Sequence, residues 1–222
     1  MTAQDTQTPP NSVLKEDKCH FADFCLRNGF SDVRPTVYAI KSNQEPGFIS
    51  FSPVKFPAIF KPAIGAGSVG IQILHNISDW EKVINNNSDD ERFVIEEYVG
   101  APREHTTHFV VHNGHVEYHK TMSCRVESHG VDCFVRNGCI PQDIAEYTIV
   151  SDDHLRIFEE IFTKGNKYTG MACADYKITD RGTLCIFEIN PRLGGSTKYL
   201  ISDCGTIQDE MRAILDLVTE NE

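Results

Sequence analysis

A chain of 222 residues with a formal charge of −11 at pH 7 can bury a sizeable core but is too short for several independent domains. Its 21 Lys and Arg are scattered, which argues against a grip on a nucleic-acid backbone. No apolar stretch approaches the length of a membrane span, and the eight cysteines, with no CxxC pair, read as reduced thiols of a cytoplasmic protein.

Met1–Ser12 is polar, contains Pro9 and Pro10, and reads as a disordered tail. Apolar residues from Val13 to Leu26 recur at helical spacing, so a helix is expected over Val13–Asn28, stopped by Asn28-Gly29, with Lys18 on its exposed side. Val37–Ile40 is expected as a short strand and Lys41–Lys55 as an irregular link. Phe56–Ala63 is the next strand. It runs into Ile64–Ile71, where Gly65, Gly67, Ser68 and Gly70 free the backbone to wrap phosphate oxygens and Lys61 adds charge at the entry. A plain hairpin turn is an equal reading of that loop, because Ile71–Leu74 follows as a strand. The lysine precedes the glycines, so this is not the Walker pattern.

Ser78–Ile84 reads as a short capped helix and Phe93–Val99 as a strand with acids at its end. Asn113-Gly114 between alternating strands predicts a two-residue hairpin within His105–Val126. The histidines around it (His105, His108, His112, His115, His119, His129) lack a companion Cys or Asp at ligand spacing, so surface histidines are favoured over a zinc site. Lys120 and Arg125 on the return strand are candidates to face phosphate, or else ordinary exposed charges. Val131–Asp143 is irregular with a short strand at Asp132–Val135, Asp152–Thr163 is an amphipathic helix, and Ile207–Val218 is a closing helix.

The chemistry concentrates in Ala172–Ile178 and Leu184–Arg192, a hairpin turning at Asp180-Arg181-Gly182. Asp175 lies in its first strand, and Glu188 and Asn190, two residues apart, share a face of the second. Carboxylates among Ala, Ile and Phe call for a cation, and sparse hard oxygen ligands suit Mg2+. Arg192, on the same parity, is placed to meet an anion beside the metal. The bland alternative is a set of solvated residues on the open side of a sheet.

The order of these features, ending in Glu188-Ile189-Asn190-Pro191-Arg192 and Gly194-Gly195-Ser196, resembles the ATP-grasp superfamily over about Asp17–Val218. The resemblance implies an α+β fold in which two α+β lobes with antiparallel sheets clasp a nucleotide. The lobes would be residues 56–99 and 100–222, after a tail at 1–12 and a vestigial N-terminal stretch at 13–55. It implies ATP binding by Lys18, Lys61, Gly65, Gly67, Ser68, Val69, Glu96, Glu97, Tyr98, Val99, Glu104 and Lys120, with Glu96 accepting from the adenine amino group and Glu104 bonding the ribose. Asp175, Glu188 and Asn190 would hold one or two Mg2+ ions, Mn2+ being the alternative, and Arg192, Lys61 and Arg125 would act on the transferred phosphoryl group.

The activity so implied is an ADP-forming carboxylate–amine ligase working through an acyl-phosphate, with small molecules, an amino acid or related acid and an amine, as substrates. His105, His108 and Glu127 are the candidate bases for the amine. A small-molecule kinase and an ATP-binding subunit that needs another chain are the rival readings. The family's usual preceding αβ domain is missing before the first matching helix, so a homodimer or a partner chain is expected to supply that wall. Cys173 stands where some of these ligases place an arginine, which leaves the subfamily open.

Overall fold

A computed structural model of the chain describes residues 14–41, 48–50, 53–65, 69–87, 91–101, 103–125, 150–195, 197, 201–202 and 205–220. The tail at 1–12 and the strand expected at 132–135 lie outside them. Its first helix, α1 (Lys18–Asn28), starts later than the apolar spacing predicts. Asp17 is the reason: its side chain accepts from the His20 N–H at 3.0 Å and so caps the helix there. Gly29 ends α1 in the left-handed conformation, φ 82°, and its N–H returns to the Cys25 carbonyl.

One sheet joins β1 (Val37–Lys41), β2 (Phe48–Ser50), β3 (Ala58–Pro62), β4 (Gln72–Leu74) and β5 (Phe93–Glu97) in the antiparallel order β2-β1-β5-β3-β4. Strand β2 falls in the stretch expected to be an irregular link, and with β1 it extends this sheet. α2 (Ile77–Asn86), capped by Asn76 and not by Ser78, covers one face of the sheet. Val83, with Trp80 and Ile84, packs there on Tyr38, Phe60, Leu74, Phe93 and Ile95. On the opposite face Cys19 and Ala22 of α1 meet Val37, Ile40 and Val94.

The second sheet has the order β7-β6-β8-β9, from β6 (Arg103–His112), β7 (His115–Arg125), β8 (Gly170–Ile178) and β9 (Leu184–Asn190). Asn113 and Gly114 take φ 51° and 87° in the β6–β7 turn, as an Asn-Gly hairpin requires. α3 (Asp152–Lys164) buries Phe158, Ile161 and Phe162 against Phe109, Tyr176 and Ile186, and Phe21 and Phe24 of α1 enter the same cluster. α1 therefore belongs to the cores of both sheets. A two-stranded pair, β10 (Ile201–Ser202) and β11 (Gly205–Thr206), leads into α4 (Ile207–Thr219), whose Ile207 and Met211 pack on Val110, Met122 and Met171. Among the described residues no helix is long and apolar enough to cross a membrane.

Candidate nucleotide and metal site

Register in the second sheet decides what gathers on the face turned away from α3. Glu104, Thr106 and His108 of β6 stand opposite Lys177, Asp175 and Cys173 of β8, which in turn places Asp175 against Glu188 and Cys173 against Asn190 of β9. Lys120 of β7 pairs with His108. The pleat therefore collects Glu104, Lys120, Asp175, Glu188 and Asn190 on one surface. Arg125 is the register partner of Arg103, and Lys120 has the parity of Met122.

Strand β9 carries a bulge next to Glu188: Asp175 opposes Glu188 but Tyr176 opposes Ile186, leaving Phe187 as the extra residue. Consecutive residues can thereby serve the same surface. Phe187 lies under the Lys61 ammonium, 4.7 Å from ring centroid to Nζ, and Glu188 Oε2 is 3.0 Å from Lys18 Nζ. Lys18 also donates to the Gly65 carbonyl at 3.1 Å, and its side chain is 12% exposed. The lysine expected on the open side of α1 is thus drawn in by an acid, bridging the glycine loop to the second sheet.

Asp175 accepts from Thr106 Oγ1. Burial first, then the neighbouring charges of Glu188 and Glu104, push its carboxyl up to about 7. Such carboxylates are stabilised by a cation above them. The donor set is hard oxygen throughout, from Asp175, Glu188 and the Asn190 amide, and it fits Mg2+. Asn190 is buried and touches the Cys173 sulfur, whose thiol is held protonated by burial and the adjacent acids.

On the first sheet, β3 and β5 pair Ile59 with Glu96 and Lys61 with Val94, which sets Lys61 and Glu96 diagonally on one face. Lys61 Nζ donates to Glu96 Oε2 at 2.7 Å, and Arg34 makes a short hydrogen bond to Oε1. Both oxygens of Glu96, the expected acceptor of the adenine amino group, are thus taken by cations. Burial lowers Lys61 to about 8, with Glu188 opposing that shift and Arg34 adding to it. Arg34 and Lys61 thus converge on Glu96 from two sides, and Glu188 and Glu104 also act on the Lys61 ammonium.

The link from β5 to β6 is tied down as well. The Glu97 N–H donates to the Thr36 carbonyl at 2.8 Å, and Thr36 Oγ1 donates to the Glu97 carboxylate at 2.8 Å. The Val99 carbonyl accepts from Lys177 Nζ at 3.0 Å, and Tyr98 lies beneath the same ammonium. Arg192 donates to its neighbour's carbonyl at Leu193 and pairs with Glu16, a contact that holds Glu16 below the usual carboxylate range. Val69 is exposed, and Gly67 and Ser68 lie outside the described residues. Of the candidate bases, His105 stacks on Tyr176 on the α3 side of the sheet, His108 has the parity of Thr106, and Glu127 is outside the described residues.

Arg34 and Lys177 escaped the sequence reading. A buried cation and an exposed one are spelled alike, and only the fold shows which strand or turn faces an acid or a carbonyl.

No curated protein sequence matches this chain. Among solved structures, the L-amino acid ligase of Bacillus licheniformis is similar, with a TM-score of 0.55 and 15% identity over 83% of this chain and 43% of that one. N5-carboxyaminoimidazole ribonucleotide synthetase of Thermotoga maritima gives 0.51 and 19%, over 90% and 49%. An Aspergillus clavatus N5-carboxyaminoimidazole synthase in complex with ADP and 5-aminoimidazole ribonucleotide gives 0.57 and 14%, over 93% and 52%. At these identities the likeness is one of fold, and the chain spans about half the length of the structures it matches. The family model for the D-ala D-ala ligase C-terminus matches residues 40–201, which include β2 to β9 and the acids Glu96, Asp175 and Glu188, and the chain belongs to this ATP-grasp family.

Proposed function

We propose that the protein is an ATP-dependent ligase that phosphorylates a small carboxylic acid, an amino acid or a relative of one, and passes the acyl group to an amine. The observation that carries this reading is the pairing of Asp175 with Glu188 across β8 and β9, faced by Lys18 and Lys61 from the other side. Acids on one wall and cations on the other match what a metal-bound triphosphate needs.

Asp175, Glu188 and Asn190 would hold one or two Mg2+ ions, which when bound neutralise charge on the phosphates. Lys61, still mostly charged at neutral pH, and Lys18 would shift from Glu96 and Glu188 toward the phosphate oxygens and stabilise negative charge as the γ-phosphoryl group moves. Arg192 would exchange Glu16 for the transferred phosphoryl group or the tetrahedral intermediate. The substrate carboxylate attacks phosphorus, ADP leaves, the neutral amine adds to the acyl-phosphate, and phosphate departs. No side-chain nucleophile is required, consistent with a Cys173 thiol kept protonated.

The test is product analysis with ATP, Mg2+ and paired amino acids. ADP, free phosphate and an amide in equal amounts support ligation; a stable phosphorylated acceptor would replace it with a kinase reading. Absence of Mg·ATP binding would remove both.

A further inference from the structure

We propose that Lys177 is a positioning residue for the base end of the nucleotide site: by holding the main chain at Val99 it sets where the segment between the two sheets runs, and so where the base docks. The inference rests on the ATP reading above and assigns a role within it that the phosphate-end residues do not fill.

Lys177 is 2% exposed, so its burial carries the desolvation cost of a lysine in a place that Leu or Met would fill without it. Its ammonium donates to the Val99 carbonyl at 3.0 Å and stands 5.8 Å from the centre of the Tyr98 ring. Both anchors belong to one stretch. β5 ends at Glu97 and β6 begins at Arg103, so the main chain of Tyr98 and Val99 lies outside either sheet's ladder and takes its course from contacts such as these. Lys177 itself comes from β8 in the second sheet, two residues from Asp175 on the same face and opposite Glu104. It therefore ties the connection leaving the first sheet to the strand that carries the metal-site acid. Asp175 and Glu188 lie farther along the sheet, while the Lys177 ammonium is engaged at the Val99 carbonyl.

This division of labour gives a selective readout. In calorimetric titration of the full chain, Lys177→Met should weaken Mg·ATP and Mg·ADP by about tenfold, the loss of one charge-assisted hydrogen bond, while Mg·tripolyphosphate, which has no base, binds as to the wild type. Hydrogen exchange at residues 98–101 should speed up in the same variant. Lys177→Arg, which can reach the same carbonyl, should recover most of the ATP affinity. Should the methionine variant not fold, Lys177→Gln, a shorter neutral donor, is expected to show the same selectivity with a smaller loss. Unchanged ATP affinity, or an equal loss for tripolyphosphate, would overturn the proposal while leaving the ATP reading standing. A wild type that binds neither nucleotide would overturn both.

Discussion

Replacing Glu188 by Gln keeps the size of the side chain and removes the charge that Lys18 and the metal would share. Because metal-assisted charge stabilisation contributes several kcal/mol, Glu188→Gln should lower ATP turnover roughly 100-fold or more with little change in thermal stability. ADP release and a melting curve on the same sample check this, and retained turnover would withdraw Glu188 from the metal set. The histidines of β6 give a second residue-scale expectation. Burial lowers both His105 and His108 to about 4, from the 6.5 of a solvated imidazole. The unfolded chain therefore binds more protons between those limits. The stability they contribute is present above about 6.5 and is lost as the pH falls toward 4. Urea midpoints at pH 7 and pH 5 should show the drop, and His105→Phe, which keeps the stack on Tyr176, should make it smaller.

The β6–β7 hairpin shows an element whose turn is also a packing surface. Gly114 has φ +87°, and a Cβ built there would lie 2.9 Å from the Thr163 Cα, in the backbone of α3. Gly114→Ala should cost roughly 2–4 kcal/mol in equilibrium unfolding, since strain in the turn adds to overpacking against the helix. An alanine variant as stable as the wild type would show that α3 can move aside. That hairpin was legible in the sequence because an Asn-Gly pair requires little beyond its own backbone preference. The parity of Glu188 and Asn190 was equally legible, as a period-2 property of any strand. Strand β2 was not, because among the described residues Phe48–Ser50 pairs with β1 alone, and it sits among Pro and Gly. The bulge at Phe187 was hidden too, since it depends on the register of β8 against β9, which no local spacing encodes.

Across the whole molecule, α1 is the part that both sheets share. Ala22 is fully buried on its first-sheet side, while Phe21 and Phe24 fill the core under the second. Ala22→Leu should overpack that contact by about 1–3 kcal/mol and lower a single transition for the entire chain. Trp80, the only tryptophan, reports on the first sheet, and far-UV circular dichroism reports on the whole. Coincident melting by the two probes is expected, and separate transitions would mean that α1 does not couple the lobes. The sequence pointed to an α+β fold with antiparallel sheets; it did not foretell that the described part of the stretch at 13–55 would pack on both of them. Its helix serves two cores, and its Arg34 anchors Glu96. Producing either lobe by itself would strip one greasy side of α1 whichever piece retained it, so neither half should prove self-sufficient, and activity should return only when the separated pieces are made together.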